Sequence, residues 1–212
     1  MMSRRAAVKL QRPSTESEIM MAKQVSGAIF LALALATLNA AFAQTVYVSN
    51  EKDNSIAILD GKTGELKQTI VVGQRPRGIV LSHDKKVLYI CTSDDDTIQV
   101  LDLKTGKITH TLPSGDDPET FALHPNGRLL YVSNEDDNLA TVIDVEKREV
   151  VAEIPVGVEP EGVGISADGR WAVITSETTN MVHWIEVETQ TIVKNVLVDS
   201  RPRYIAFTPD AK

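Results

Sequence analysis

The chain repeats with a constant period of 42 residues from residue 45 to residue 212. Equivalent positions keep one residue type from unit to unit: Tyr47, Tyr89 and Tyr131; Asp60, Asp102, Asp144 and Glu186; Pro76, Pro118, Pro160 and Pro202. No insertion interrupts the register. In such an array each unit buries its apolar faces against its neighbours. We therefore expect four stacked units, approximately 45–86, 87–128, 129–170 and 171–212.

Each unit contains four strand signals separated by turn residues. In the second unit they are Val87–Cys91, Thr97–Leu103, Lys107–Leu112 and Thr120–Leu123. Several strands are continuous apolar runs, such as Ile79 to Leu81, which indicates sheets covered on both faces. Four strands in a period of about 40 to 45 residues are typical of a β-propeller blade. We predict an all-β propeller with four blade repeats, in which the innermost strand of each blade follows the repeated proline.

When the strands of a blade are counted outward from the innermost strand, as they are from here on, the turn between the third and fourth strands shows one irregularity. The first two units place glycine there, at Gly64 and Gly106, where a tight turn needs positive φ. The third unit has Glu146-Lys147-Arg148 instead, so we expect a longer or different turn.

The N-terminus predicts export. Met21-Ala-Lys23 is a short basic region, an apolar run follows at Ala28–Leu38, and Ala41-Phe42-Ala43 fits an A-x-A cleavage site. We interpret 1–20 as an upstream extension, 21–43 as a signal peptide and 44–212 as the propeller repeats, in a periplasmic or secreted protein that leaves the membrane after cleavage. An uncleaved anchor and a twin-arginine signal at Arg4-Arg5 are the alternatives.

Charge and cysteine content exclude several classes of protein. The net charge is −7, and 44–212 holds 17 basic against 27 acidic side chains, which argues against nucleic-acid binding. The single cysteine, Cys91, cannot form an internal disulfide and is expected to be a small buried filler at the position of Ser49 and Ser133. There is no C-x-x-C-H motif for covalent haem attachment, and no histidine has cysteine partners at zinc-ligand spacing.

Charged residues concentrate in two kinds of loop that share one face in a propeller, near its central channel. We call this face the proline face. The loops that enter the innermost strands carry Arg75, Arg77, Asp117, Glu119, Glu159, Glu161, Arg201 and Arg203. The loops between second and third strands are 51–54, 93–96, 135–138 and 177–180, and the candidate residues there are Asp94, Asp95, Asp96, Glu135, Asp136 and Asp137.

The sequence leaves three interpretations of this face open. It can bind a basic patch on a partner protein, or hold a cation with convergent carboxylates, or simply expose solvated charges that pair locally. The Asp94-Asp95-Asp96 run lacks the glycine and distal glutamate of an EF-hand loop, so we predict no metal site. We predict no catalytic residues either, because Ser82-His83-Asp84 are adjacent on a turn and a triad assembles from separate elements.

Several stretches carry a family resemblance: Tyr131-Val-Ser-Asn134, Thr141-Val-Ile-Asp144, Ile154-Pro-Val-Gly157 and the run 160–169. They resemble the YVTN-type β-propeller repeat over 45–212. The segments 50–55, 73–78, 134–138 and 176–181 are similar to exported propeller proteins associated with PQQ-dependent alcohol catabolism. That resemblance implies a periplasmic accessory protein with a quinoprotein dehydrogenase or a cytochrome as partner. No cofactor is predicted, and PQQ enters through the resemblance alone.

The number of units departs from this family, whose rings usually have about seven blades. We expect a partial arc of a seven-bladed ring, with exposed blade faces prone to self-association. Two chains closing an eight-bladed ring, or a four-bladed ring, are alternatives. In a closed ring the last strand, Arg203–Thr208, would pair beside Val46–Ser49.

Two classes of function remain. The first is a periplasmic binding or scaffold propeller that docks a redox partner. The second is a lactonase-like propeller hydrolase that acts on sugar lactones, because such enzymes use the same type of repeat. The fold alone does not separate them.

Overall fold

The structure is a computed structural model that describes residues 44–208. The upstream extension, the signal peptide and residues 209–212 lie outside the described residues. The described part contains these strands: β1 (Thr45–Asn50), β2 (Ser55–Asp60), β3 (Leu66–Val71), β4 (Pro76–Leu81), β5 (Val87–Thr92), β6 (Thr97–Asp102), β7 (Lys107–Pro113), β8 (Pro118–Leu123), β9 (Leu129–Asn134), β10 (Leu139–Asp144), β11 (Glu149–Pro155), β12 (Pro160–Ile165), β13 (Trp171–Ser176), β14 (Met181–Glu186) and β15 (Thr191–Leu197).

These strands form four antiparallel sheets in sequence order. The first sheet is β1-β2-β3, and the others are β4 to β7, β8 to β11 and β12 to β15. Each four-stranded sheet begins at one of the repeated prolines, so the predicted strands and their phase are confirmed. The fold is therefore an all-β propeller arc. No helix in the described part of the chain is long and apolar enough to span a membrane.

Apolar side chains fill the spaces between neighbouring sheets. The core between the second and third sheets contains Ile98 and Leu112 on one side and Leu130 and Ile143 on the other. Cys91 lies in the same cluster with no exposed surface, so its predicted role as a buried filler is confirmed. Because the second and third sheets are covered on both faces, their inner strands contain continuous apolar runs rather than strict alternation.

The prediction of a different turn at 146–148 was wrong. Arg148 adopts the left-handed conformation at φ 61°, and its N–H donates to the Asp144 carbonyl at 2.7 Å, as Gly106 donates to Asp102 at 2.8 Å. The Asp144 carboxylate also accepts the N–H groups of Glu146 and Lys147 at 3.1 and 3.0 Å. These bonds offset the roughly 1–2 kcal/mol that a left-handed non-glycine residue costs.

The pairing of the last segment with β1, which a closed ring would require, is not formed among the described residues. The first sheet ends at β1, and residues 201–208 are not in a strand. The segment lies instead beside β12, where the Arg203 carbonyl oxygen is 2.8 Å from the position of a Cβ on Gly162. It thus occupies the position that follows β4, β8 and β12 along the arc.

The innermost strands approach one another closely along the channel. A Cβ on Gly78 of β4 would lie 2.8 Å from the Glu119 carbonyl oxygen of β8, so glycine permits this approach. In the first and third sheets a hydroxyl group connects the second strand to the innermost strand of the following sheet: Ser49 donates to the Arg77 carbonyl at 2.8 Å and Ser133 to the Glu161 carbonyl at 2.7 Å. This contact holds Arg77 and Glu161, the residues after Pro76 and Pro160, at the channel mouth.

Candidate binding face

The two kinds of charged loop are joined by one repeated hydrogen bond. The residue before each proline donates its backbone N–H to the side-chain oxygen of a residue 21 positions earlier. The four pairs are Arg75 to Asn54 at 2.9 Å, Asp117 to Asp96 at 3.0 Å, Glu159 to Asn138 at 3.1 Å and Arg201 to Asn180 at 3.0 Å. Both partners in every pair have positive φ. The structure therefore places both loops together on the proline face.

Three of the predicted acidic residues hold these loops in shape. Asp95 accepts the N–H of Gln74 at 2.8 Å, and Asp137 accepts the N–H of Asp116 at 2.7 Å. Asp96 accepts the N–H of Asp117, as described above. Their carboxylates therefore serve the backbone. Asp94 and Asp136 are exposed and do not hold a loop N–H among the described residues.

One buried carboxylate lies at the centre of the first arginine pair. Glu119 has no exposed surface, and its Oε1 accepts from Nη2 of Arg75 at 2.8 Å. Arg77 pairs with the other oxygen, Oε2. Arg75 also contacts Asp117 at 3.1 Å and Asp94 at 3.2 Å. These two arginines thus bridge the loops of adjacent blades.

Burial has the largest effect on the pKa of Glu119. It raises the pKa of Glu119 to about 8 against the opposing charge of Arg77, and the neighbouring carboxylates Glu161 and Asp117 add to the rise. For Arg75, burial lowers the pKa, but Asp117 and Glu119 outweigh it and hold the pKa above its ordinary value. The carboxyl group is therefore poised to carry a proton near neutral pH, while the guanidinium stays charged.

The second arginine pair lies at the other end of the acidic sector. Arg201 and Arg203 both pair with Glu177, which is 2% exposed. Arg203 also approaches Glu161 at 3.6 Å, and burial raises the pKa of Glu161. Glu177 is not among the residues that the sequence predicts for this face. The signal was its repeat position, which it shares with the candidate Glu135.

Three carboxylates converge between the arginine pairs. Oxygen atoms of Asp117, Glu119 and Glu135 all lie within 4.8 Å of one another. Oδ1 of Asp117 is buried without a hydrogen-bond partner in the described structure. The spacing would suit a cation, but Arg75 already contacts Asp117 and Glu119. A metal ion would have to displace that guanidinium, so the arrangement favours charge pairing.

A cavity of about 510 Å³ opens at the channel mouth between Arg77 and Arg203. Glu119, Thr120 and Glu161 lie between the two arginines, and Ser49, Glu51, Pro76 and Gly78 complete the lining. The cavity can bind a group that offers both acceptors to arginine and donors to carboxylate. Of the predicted residues it contains Arg77, Glu119, Glu161 and Arg203, while Arg75, Asp117, Glu135, Glu159 and Arg201 lie in the loops around it.

The four histidines have structural roles. His83 and His124, in turns on the opposite face, bond the carbonyl oxygens of His124 and Gly169 at 2.9 and 2.8 Å. His110 lies next to the Thr109 hydroxyl on β7. His183 is buried, accepts the Gly157 N–H at 2.9 Å and bonds Asn195 at 2.8 Å.

The fold and the charged loops of the proline face together define this protein as a β-propeller. A family model described as "Cytochrome D1 heme domain" matches residues 82–202, and a second, "Lactonase, 7-bladed beta-propeller", matches residues 33–114. The first match covers more than half of the chain, and the chain belongs to the cytochrome D1 heme domain family.

Solved structures support the fold. Hydrazine synthase of Kuenenia stuttgartiensis matches with a TM-score of 0.75 at 26% identity, over 79% of this chain and 50% of that one. This chain thus spans about half the length of that relative. In all, 1388 solved chains match significantly, so the fold is too common to indicate one function. No curated protein sequence matches at a significant level.

The family description implies a heme, and the residues at the channel mouth do not fit one. Protein ligands of heme iron are histidine, cysteine, methionine or tyrosine. None of these lines the cavity at the channel mouth, where the described side chains are arginine, glutamate, serine, threonine and proline. The bonded nitrogens of His83, His124 and His183 serve structural contacts elsewhere. This face is therefore better suited to charge pairing than to holding a tetrapyrrole.

Proposed function

We propose that this protein is an exported propeller that binds a positively charged protein partner through its proline face. The observation that carries the proposal is the charge of that face. Its loops at 51–54, 75–77, 94–96, 117–119, 135–138, 159–161, 177–180 and 201–203 hold thirteen acidic and five basic side chains, a net charge of −8. An acidic excess of this size attracts a basic surface and orients it during encounter.

The internal ion pairs confine the unpaired acidic charge to one part of the proline face. Arg75 and Arg77 are held by Glu119 and Asp117, and Arg201 and Arg203 by Glu177, so these four arginines make their close contacts within the molecule. Of the exposed loop carboxylates, Asp94 pairs with Arg75 at 3.2 Å, whereas Asp136 forms no ion pair within the described residues. The surface between the arginine pairs is therefore the part suited to a basic patch.

The class of partner follows from the sequence and the family together. The resemblance to proteins of PQQ-dependent alcohol catabolism and the membership in a family named for a redox domain support a quinoprotein dehydrogenase or its cytochrome as partner. The predicted signal peptide supports a meeting in the periplasm. The propeller acts in this proposal as a scaffold that positions the redox protein, with no reaction of its own.

Charge reversal tests the proposal. Asp94→Lys combined with Asp136→Lys changes the charge of the proline face by four units, and we expect at least tenfold weaker binding of the quinoprotein or cytochrome at low salt. Glu146→Lys combined with Glu188→Lys is the matched control, because both residues are exposed in turns on the opposite face. Equal weakening by both pairs would show that only the overall charge matters, and would contradict a docking face.

Lactone hydrolysis is the second candidate function. The lactonase family match over residues 33–114 favours it, as do the buried carboxyl groups of Glu119 and Glu161 beside the channel-mouth cavity. Purified protein should be assayed on sugar lactones with and without divalent cations. Turnover that is lost in Glu161→Gln and Glu135→Gln, and kept in Glu188→Gln, would replace the scaffold proposal with a hydrolase.

A further inference from the structure

A second concave site lies on the face opposite the proline face, between the second and third sheets. We call it the lower groove. Its volume is about 690 Å³, and it is lined by Ser82, His83, Asp84, Lys86, Val87, Tyr89, Asp102, Pro125, Asn126, Gly127, Val145 and Glu146. Tyr89 forms part of its floor and is only 7% exposed. Its hydroxyl group makes no hydrogen bond within the described residues and is not among their buried polar atoms, so it is accessible from the groove.

The equivalent groove one blade further along is filled by the protein itself. Tyr131, which stands 42 residues after Tyr89, exchanges hydrogen bonds with the Gln190 side chain at 3.0 and 2.8 Å. Arg128 places its guanidinium on Asp144, with Nε at 2.7 Å and Nη2 at 2.6 Å from Oδ2. The Arg128 guanidinium and the Gln190 amide thus fill positions that are open in the lower groove.

Tyr89 has no amide partner because one residue differs between the two repeats. Arg148 stands at the position of Gln190. It is exposed and forms no hydrogen bond to Tyr89 in the described structure. The Tyr89 hydroxyl therefore remains free to bond a ligand.

The carboxylate of the lower groove lacks its cation for a similar reason. Lys86 stands at the position of Arg128, but it pairs with Asp84 at 2.8 Å. Asp84 replaces the uncharged Asn126 of the next blade and so draws the lysine away. Asp102, the equivalent of Asp144, bonds Thr105 through Oδ1 and forms no ion pair among the described residues.

We propose that the lower groove binds a small organic cation that carries a guanidinium or primary ammonium group. The cation contacts Asp102, a polar group of the ligand bonds Tyr89, and the aliphatic part packs on Val87, Val145 and Pro125. The titratable groups that face the ligand are Asp84, Asp102, Glu146, Lys86 and His83, and with a neutral histidine they sum to a net charge of −2. The volume lies within the range of small-molecule sites. This site is independent of the function proposed for the proline face.

Agmatine is a suitable probe because it joins a guanidinium to an amine through a short aliphatic chain. We expect saturable binding in calorimetric titration of the full chain, with a dissociation constant on the order of millimolar or below. Tyr89→Phe removes only the hydroxyl and should weaken binding about fivefold, and Asp102→Asn should weaken it at least tenfold. Tyr131→Phe is the matched control and should leave the agmatine affinity unchanged.

A variant in which the protein's own side chains fill the lower groove gives the sharper test. Asp84→Asn, Lys86→Arg and Arg148→Gln together rebuild the closed groove of the next blade, and this variant should lose agmatine binding while it keeps the wild-type fluorescence spectrum. The proposal would be overturned by agmatine binding that survives in this triple variant, or by the absence of saturable binding to the wild-type chain at 20 mM agmatine. Equal binding of tetramethylammonium, which cannot donate hydrogen bonds, would also overturn it.

Discussion

Replacing Glu119 by glutamine tests whether the buried carboxyl group at the channel mouth holds a proton near neutral pH. Burial raises the pKa of Glu119 to about 8 in the folded protein, compared with roughly 4.3 in an unfolded chain. Between these values the folded state binds about one proton more than the unfolded state. Its contribution to stability is therefore full below the unfolded pKa and is lost as pH rises through the folded pKa, with a slope of about 1.4 kcal/mol per pH unit.

Urea denaturation monitored by tryptophan fluorescence measures this slope. From pH 5.5 to 7.5, the wild-type free energy of unfolding should fall by about 2–3 kcal/mol relative to Glu119→Gln, which cannot titrate. All other groups are shared by the two proteins and cancel in the difference. Glu188→Gln, at an exposed carboxylate in a turn of the opposite face, should run parallel to wild type. If Glu119→Gln also runs parallel, the carboxylate is ionised throughout and its two arginines outweigh burial.

Three further predictions concern stability. Gly73→Ala should lower the free energy of unfolding by about 1–3 kcal/mol in urea denaturation, because its Cβ would lie 2.2 Å from Oδ2 of Asp95. Gly64→Ala has nothing within 4 Å of its Cβ and should lower it only by the roughly 1 kcal/mol of a left-handed backbone. Equal losses in the two variants would refute the steric argument. Burial lowers the pKa of His183, so its contribution is lost as pH falls below about 6.5; thermal melts at pH 5 and pH 7 should differ less in His183→Gln than in wild type, and an unchanged difference would contradict this assignment. Cys91→Ser should keep a free energy of unfolding within about 1 kcal/mol of wild type in urea denaturation, because its hydroxyl can donate to the innermost strand of the following sheet as Ser49 and Ser133 do. Cys91→Leu should instead overpack the core. A larger loss in the serine variant than in the leucine variant would refute the equivalence of Cys91 with the two serines.

The repeat predicted the strands and the common face of the charged loops because each depends on spacing alone. Pro118 begins β8 and Val87 begins β5, as the phase of the repeat requires. The turn at 146–148 was predicted wrongly because glycine preference considers the backbone alone. There the Asp144 side chain supplies hydrogen bonds that support a left-handed arginine.

The roles of individual carboxylates could not be read from the sequence. Asp94, Asp95 and Asp96 are adjacent and identical, yet each has a different partner. Asp95 accepts a backbone N–H from the loop 21 residues earlier, Asp96 accepts one from the loop 21 residues later, and Asp94 contacts Arg75. The partner of each side chain depends on the direction in which it leaves a short 3-10 turn, Ser93–Asp95. Likewise, the pairing of Arg75 with Asp117 and Glu119 joins residues a full repeat apart, and only the packing of neighbouring blades brings them together.

The most direct test of the proposed function is the salt dependence of partner binding. The dissociation constant of the purified propeller for a periplasmic quinoprotein dehydrogenase or its cytochrome should be measured from 20 to 200 mM salt, for wild type and for the Asp94→Lys, Asp136→Lys variant. If the acidic proline face binds a basic partner, wild-type affinity should fall steeply with salt and the variant should bind weakly with little salt dependence. Binding that is insensitive to salt, or equally strong in the variant, would contradict the account.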